Sequence, residues 1–394
     1  MLLLSYAFFN FGYALSSPFE SPFIESLGAS PFVIGAIGAI GSIMLFIVRI
    51  PGSYIADKHG RRQIIVTMTY GVALSNIFFV FAPNWIFYIF GVVATNLCLI
   101  YQPALEAIEA DSLTPEKRGV GYAAFRVLPF LPSIFSPIIA GTIVNRYSID
   151  PGMRIIYCLL LVTGLTAAFL RHAFLKETLA ETKAINLKEL KLTFKNSLRE
   201  IFDSWKLMPR TLGFLLASSL IIAFTDPFFY RFGSLYVLNV VGLSDVEWGA
   251  VNTINLATML VVGLFLGKAI DIFGRKKAVI LSYMVFIPAS ALFIISHSFP
   301  IFAIIYVLFA IASVLFGSAT SALQADIVPK EKRGRILGSI GSLYILAGAL
   351  GSLAGGVLYE NIGFTSPFLL CIPLNIIALL IVIFRVREPD KKEA

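Results

Sequence analysis

Twelve runs of mostly apolar residues, each long enough to cross a lipid bilayer, constrain this chain more than any other feature. A spanning helix needs about 20 such residues, because the hydrocarbon core is about 30 Å thick and each helical residue rises about 1.5 Å. No water reaches backbone groups in that core, so a spanning segment must pair its N–H and C=O groups internally, as an α-helix does. Divided at charged or Pro/Gly/Asn turns, the runs begin with 2–27, include 118–145 as the fifth and 208–241 as the seventh, and end with 364–385. Composition agrees. Of 394 residues, 58% are hydrophobic and 14% charged, against roughly 25% charged in soluble domains. The expected fold class is an all-α integral membrane protein with twelve transmembrane helices. Met1-Leu2-Leu3-Leu4 has no basic residue before it and reads as the start of the first span rather than a signal peptide.

The loops set orientation. Lys58, Arg61 and Arg62 follow span 2, and Lys117 and Arg118 follow span 4. A basic stretch from Arg171 to Arg210 follows span 6, and Arg275, Lys276 and Lys277 follow span 8. Lys330, Lys332, Arg333 and Arg335 follow span 10, and Arg385, Arg387, Lys391 and Lys392 follow span 12. The opposite loops hold little beyond Arg146 and Arg154. Basic loops stay inside, so both termini are expected in the cytoplasm and the protein in the cell (inner) membrane as a multi-pass chain. This bias accounts for the net charge of +8 without a nucleic-acid partner. Cys98, Cys158 and Cys371 all lie in apolar runs and suggest neither disulfides nor a metal; no cofactor is expected. Between spans 6 and 7, Leu187, Leu190, Phe194, Leu198, Ile201, Phe202 and Trp205 recur at helical spacing, with Lys188, Lys191, Lys195 and Arg199 on the other side. That pattern predicts an amphipathic helix on the inner membrane surface, tethering two halves.

Two halves follow from an internal repeat. Asp57-Lys58-His59-Gly60-Arg61-Arg62 returns 214 positions later as Asp271-Ile272-Phe273-Gly274-Arg275-Lys276. Gly28-Ala29-Ser30 returns as Gly242-Leu243-Ser244 at the same offset. Asp111 with Glu116-Lys117-Arg118-Gly119 matches Asp326 with Glu331-Lys332-Arg333-Gly334. Ser136-Pro137-Ile138-Ile139-Ala140-Gly141 matches Gly351-Ser352-Leu353-Ala354-Gly355-Gly356. Four matches in one order mean two six-helix halves in parallel orientation.

On these residues the chain resembles the major facilitator superfamily over its whole length. That family's turn between spans 2 and 3 reads Gly-x-x-x-Asp-basic-x-Gly-Arg-basic. Gly267 to Lys276 fits except at Ile272; in the first copy Ser53 stands where Gly is expected. The resemblance implies a six-helix bundle over 1–175, a linker with the amphipathic helix over 176–206, and a second bundle over 207–394. It implies a central cavity, alternating access and a small-molecule substrate bound near the midplane; a monomer in the bilayer is expected. In similar transporters the charged turns join across the halves when the cytoplasmic side closes. The expected latch is Asp57, Arg61, Asp111 and Arg333, with Asp271, Arg275, Asp326 and Arg118 as its second copy. The resembled fold also sets spans 1 and 7 face to face, so a Glu20–Arg231 pair is the expected outer gate.

Ionisable residues within spans cost roughly 2.5–3.5 kcal/mol to insert and are usually functional. Asp226, followed by Pro227, lies mid-span in the seventh run and is the leading proton-coupling candidate through burial of its carboxyl; Glu20 is the second. Arg49 and Arg126 suit an anionic substrate if they face the cavity, since guanidinium forks bind carboxylate or phosphate, or else pair with Glu106 or Glu109. Aromatic residues of spans 1, 4, 7 and 10, with sparse polar groups, suit lipophilic or amphipathic solutes. The candidate substrate contacts are Arg49, Arg126, Asn10, Tyr13, Asn96, Gln102, Phe228 and Tyr230. Proton-exchanging exporters of the superfamily carry Gly-Pro-x-x-Gly-Gly in span 5, to which Ser136 to Gly141 is a degenerate match. The Arg that many hold in span 4 is Leu99 here. The expected function is proton-coupled export of hydrophobic or amphipathic small molecules. The alternatives are organic-anion symport or exchange through Arg49 and Arg126, and a non-transporting membrane receptor. An enzyme is not expected, since the spans hold no nucleophile–base pair and no metal-spaced cluster; no Gly-x-x-x-x-Gly-Lys-Ser/Thr loop is present either.

Overall fold

The computed structural model describes residues 1–58, 60–112, 125, 127–179, 189, 191–196, 199, 203, 208–328 and 333–388, with backbone alone at 57, 58, 267–269, 271, 272 and 335. Among the described residues the chain is helical and has no strand. The principal helices are α1 (Leu2–Ser16), α2 (Glu20–Ser26), α3 (Pro31–Lys58), α4 (Arg61–Val80), α5 (Trp85–Cys98), α6 (Gln102–Asp111) and α7 (Ser136–Tyr147). They continue as α8 (Ile149–Phe174), α9 (Arg210–Leu235), α10 (Asp245–Phe273), α11 (Arg275–Ile295), α12 (Phe299–Ile327), α13 (Arg333–Asn361) and α14 (Ser366–Arg385).

Eleven helical segments among the described residues are long and apolar enough to cross a membrane. The first expected span is built differently. A 3-10 turn at Ser17–Phe19 separates α1 from α2, and Pro18 within it lacks the N–H that an α-helix needs. Leu99–Tyr101 joins α5 to α6 in the same way, just before Pro103. Pro227 behaves otherwise: α9 runs through it unbroken and ends in a π-helical segment at Tyr236–Val241.

The repeat is written in the backbone. Gly28 and Gly242 take φ of 86° and 82°, and Gly60 and Gly274 take 91° and 95°. Side chains avoid this region, so glycine lets the chain reverse sharply between spans.

The helices form two compact units, Met1–Ser30 with Ile40–Ser197, and Pro31–Ala39 with Leu198–Ala394. In the first, α4 packs on α8 and α5, and α8 on α1. Its interior includes Ala56, Ile65, Val72, Tyr101, Ala104, Leu105 and Ile108. In the second, α9 packs on α13 and α14, and α12 on α10 and α11. Phe229 lies there within 5.0–5.7 Å, centroid to centroid, of Phe286, Phe293, Phe309 and Phe368.

Candidate functional site

Each unit carries the charged turn, and in each the turn ties three helix ends together. An α-helix leaves four N–H groups unpaired at its start and four carbonyls at its end. At a membrane surface, charged side chains can satisfy them, acids at the start and bases at the end. In the first unit Arg61 opens α4. Its Nε donates to the Ala56 carbonyl at 3.1 Å, and its guanidinium forms an ion pair with Asp111 at the end of α6. Arg62 donates to the His172 carbonyl at 2.8 Å and the Leu175 carbonyl at 2.7 Å, at the end of α8. The Glu177 carboxylate returns the favour, accepting from the backbone N–H of Arg62 at 2.9 Å.

The second unit repeats this. Arg275 opens α11, pairs with Asp326 at the end of α12 and donates to the Ala322 carbonyl at 3.0 Å. Lys276 Nζ donates to the Ile383 carbonyl at 2.8 Å, at the end of α14. Glu388 accepts from the N–H of Arg275 at 3.0 Å. Arg333 donates to the Ala325 carbonyl at 2.7 Å. In both units, then, the Arg–Asp pair is made inside one unit.

The two acidic caps were not singled out by motif or spacing. Their signal is a basic-Glu dipeptide just past spans 6 and 12, Lys176-Glu177 and Arg387-Glu388, 211 positions apart. At Glu177, desolvation disfavours the charged form, but N–H donors from Leu179, Arg62, Arg61 and Thr178 outweigh it and hold the carboxyl below its usual value.

The expected transport residues are placed as follows. Thr225, Phe228 and Phe229 are buried in the second unit, whereas Asp226, enclosed by the same helices, keeps exposed surface. Its carboxyl acts electrostatically on the Cys371 thiol, which is buried in α14 of the same unit. The expectation for Phe228 is corrected. It is 0% exposed, in T-shaped contact with Phe224, and presents no surface to a solute. Tyr230 is exposed, with the Arg231 guanidinium 5.7 Å from its ring centroid. Arg231 is half-buried against Gly38.

Glu20 accepts from the Tyr88 hydroxyl at 3.3 Å, and Tyr88 bonds Tyr157 at 3.0 Å. Arg49, Asn10, Asn96 and Gln102 are half-buried, and Tyr13 is exposed. The Asn96 amide donates to its own helix at the Val92 carbonyl. Arg118, Arg126 and the side chains of Asp57 and Asp271 lie outside the described residues, as do Leu187, Leu190, Leu198, Ile201, Phe202 and Trp205 of the expected amphipathic helix. Residues 191–196 of that stretch are helical. Outside the turns, Arg154 has a structural place: it donates to the Val80 and Ala82 carbonyls at the end of α4, at 2.6 and 2.8 Å.

Long apolar helices in two units, with one charged turn in each, define a duplicated multi-pass membrane protein. The profile of the Major Facilitator Superfamily matches residues 2–250 and 232–394. The chain belongs to that superfamily and is a membrane transporter, not an enzyme. It is 23% identical over 368 residues to the multi-drug resistance efflux pump PmrA of Streptococcus pneumoniae, covering 90% of this chain and 87% of that protein. It is 31% identical over 148 residues to the vacuolar membrane amino acid uptake transporter fnx2 of Schizosaccharomyces pombe, covering 37% of this chain and 25% of that one. This alignment thus spans a quarter of the yeast protein. Among solved structures, the human organic anion transporter MFSD10 (TETRAN) superposes with a TM-score of 0.70 at 18% identity, covering 97% of each chain. A peptide transporter POT mutant in complex with sulfate superposes at 0.76 with 13% identity, covering 98% of this chain and 95% of that one. Both likenesses concern the fold alone.

Proposed function

We propose that this transporter exports hydrophobic or amphipathic small molecules in exchange for protons, as a monomer in the cell (inner) membrane with its basic loops and termini in the cytoplasm. The observation that carries the reading is Asp226: a carboxyl in the middle of an apolar span, enclosed by the helices of its unit and yet with exposed surface. A charge facing lipid there costs roughly 2.5–3.5 kcal/mol; a carboxyl on a water-filled pathway avoids that cost and can load and release a proton. The similarity to a multi-drug efflux pump along nine-tenths of the chain supports the substrate class. Glu20, within reach of the Tyr88 hydroxyl, is the second protonatable group, and Glu20 with Arg231 is the outer gate. The two Arg–Asp pairs hold the ends of spans 3 and 4, and of spans 9 and 10, as rigid jaws. Asp57, Arg118, Asp271 and Arg333 complete the latch when the inner side closes.

The test is transport in proteoliposomes under an imposed pH gradient, with a lipophilic cation and an organic anion side by side. Gradient-driven movement of the cation is expected. Asp226→Asn is expected to retain binding and lose proton coupling; full coupling in that variant removes the role. Arg49 favours a second reading, since among the described residues this half-buried guanidinium makes no ion pair. Movement of the anion alone selects organic-anion symport or exchange through Arg49 and Arg126. A receptor reading requires that neither solute move.

A further inference from the structure

Arg171 lies in the last turn of α8 and is the largest fully buried side chain among the described residues, at 2% exposure. Its Nε donates to Ser5 Oγ at 3.2 Å and its Nη1 to Thr69 Oγ1 at 2.8 Å. The rings of Tyr6, Phe9 and Tyr101 surround it, with centroids 5.3, 5.9 and 5.5 Å from the guanidinium carbon. Hydroxyls and ring faces stabilise a cation, but they do not neutralise it.

Among the described residues, no carboxylate forms an ion pair with Arg171. Glu109 accepts from the Tyr6 hydroxyl, Asp111 pairs with Arg61, and Glu177 caps α4. Taking an unpaired ion out of water costs several kcal/mol, so a guanidinium in this setting calls for an anion. The fold itself does not require a charge here. The offset of 211 that relates Glu177 to Glu388 carries Arg171 to Val382. The offset of 214 that relates the charged turns carries Thr69 to Tyr283. Val382 and Tyr283 belong to one buried hydrophobic cluster of the second unit. The first unit holds a cation and a hydroxyl at these positions, and Arg171 lines a cavity.

That cavity has a volume of about 210 Å³ and is walled by Ser5, Ser112, Arg171, Lys176 and Thr178 among others. A water occupies about 30 Å³ of liquid, so the space admits a group of several heavy atoms. Ser5 and Ser112 donate their hydroxyl protons to the Leu2 and Ile108 carbonyls, which leaves one buried guanidinium, one exposed ammonium and the Thr178 hydroxyl for a tetrahedral oxyanion, since guanidinium donors match phosphate oxygens in pairs. The cavity lies at the end of the unit that carries the basic turn, where an anionic lipid headgroup and a soluble phosphate are both within reach. We propose that the cavity beside Arg171 is a binding site for a phosphate group, held by Arg171 and Lys176 inside the first unit.

The test uses the full chain purified in detergent and in lipid nanodiscs. One arm titrates inorganic phosphate by calorimetry. The other compares retention of phosphatidylglycerol and phosphatidylcholine by native mass spectrometry. One saturable site is expected in at least one arm: phosphate alone identifies a soluble anion, and phosphatidylglycerol retained over phosphatidylcholine identifies a headgroup. Arg171→Met is expected to weaken that binding tenfold or more. Where Arg171→Met fails to fold, Ser112→Trp decides, because it fills the cavity from the exposed end of α6 and leaves the partners of Arg171 in place. No binding in either arm, or binding that survives Ser112→Trp unchanged, overturns the proposal.

Discussion

At the residue scale, the two Arg–Asp pairs have the same chemistry but different burial. The side chains of Arg275 and Asp326 are 14% and 12% exposed, whereas Asp111 beside Arg61 is 44% exposed. Leaving one partner of a buried pair costs about 3 kcal/mol, while an exposed pair contributes about 1 kcal/mol or less. Asp326→Asn is therefore expected to lower the thermal unfolding midpoint in detergent clearly more than Asp111→Asn. Equal shifts would show that burial does not separate the two copies. Glu177 gives a pH prediction. Folding lowers the affinity of its carboxyl for a proton, so its contribution to stability is present above the unfolded-state value and is lost as pH falls through the folded-state value. Glu177→Gln is expected to destabilise the protein at pH 7 by about 1 kcal/mol at most, as for loss of a helix cap. The difference from the unsubstituted chain shrinks in acid below the carboxylate range. Unfolding midpoints of both proteins across pH 3–7 check it; a gap that persists unchanged in acid counts against the cap. Arg62 and Lys276 read from sequence as topogenic charges, yet each also closes a helix end, at α8 and α14. A donor's partner carbonyl, more than a hundred positions away, leaves no mark in the sequence.

At the element scale, glycine decides how closely spans approach. In α13, a Cβ at Gly351 would overlap the Phe224 carbonyl oxygen of α9, and one at Gly355 would lie 2.7 Å from the Phe232 ring. Backbone cannot yield as a flexible side chain does. Gly213, in α9, has nothing within 4 Å of the same position. In a helix interior Ala is favoured over Gly by about 0.5–1 kcal/mol. Gly213→Ala is thus expected to be neutral or stabilising, and Gly351→Ala strongly destabilising, with loss of the folded-protein peak in size-exclusion chromatography. A well-folded Gly351→Ala protein would show that α9 and α13 can separate. Gly351 is also the repeat partner of Ser136, and Ser352 Oγ donates to the Gly35 carbonyl at 2.9 Å. The small-residue run in span 11 therefore works as a contact surface within the second unit.

At the scale of the whole molecule, the proposed latch makes a prediction that stability data do not reach. Asp57→Asn is expected to leave membrane insertion intact and to lower transport in the proteoliposome assay; full transport in that variant removes Asp57 from the latch. Length and hydropathy of the runs were enough to define an all-helical membrane chain, because a bilayer admits few other ways to satisfy backbone groups. The offset of 214 was enough to reveal the duplication, and Gly60 and Gly274 share one backbone conformation because only glycine tolerates it. Family membership was legible from the same turn. Tertiary structure alone decided the rest. It broke the first span at Ser17–Phe19 and set Asp226 near the buried Cys371. It sank Phe228 into the core, and recruited Glu177 and Glu388 to the helix starts. It also left Arg171 buried beside a cavity, where the second unit holds Val382 in a hydrophobic cluster. The physical reason is common to all of these. Periodicity records how much of a helix is apolar, whereas partners and burial depend on which face meets a neighbour, and that is settled only when the helices pack.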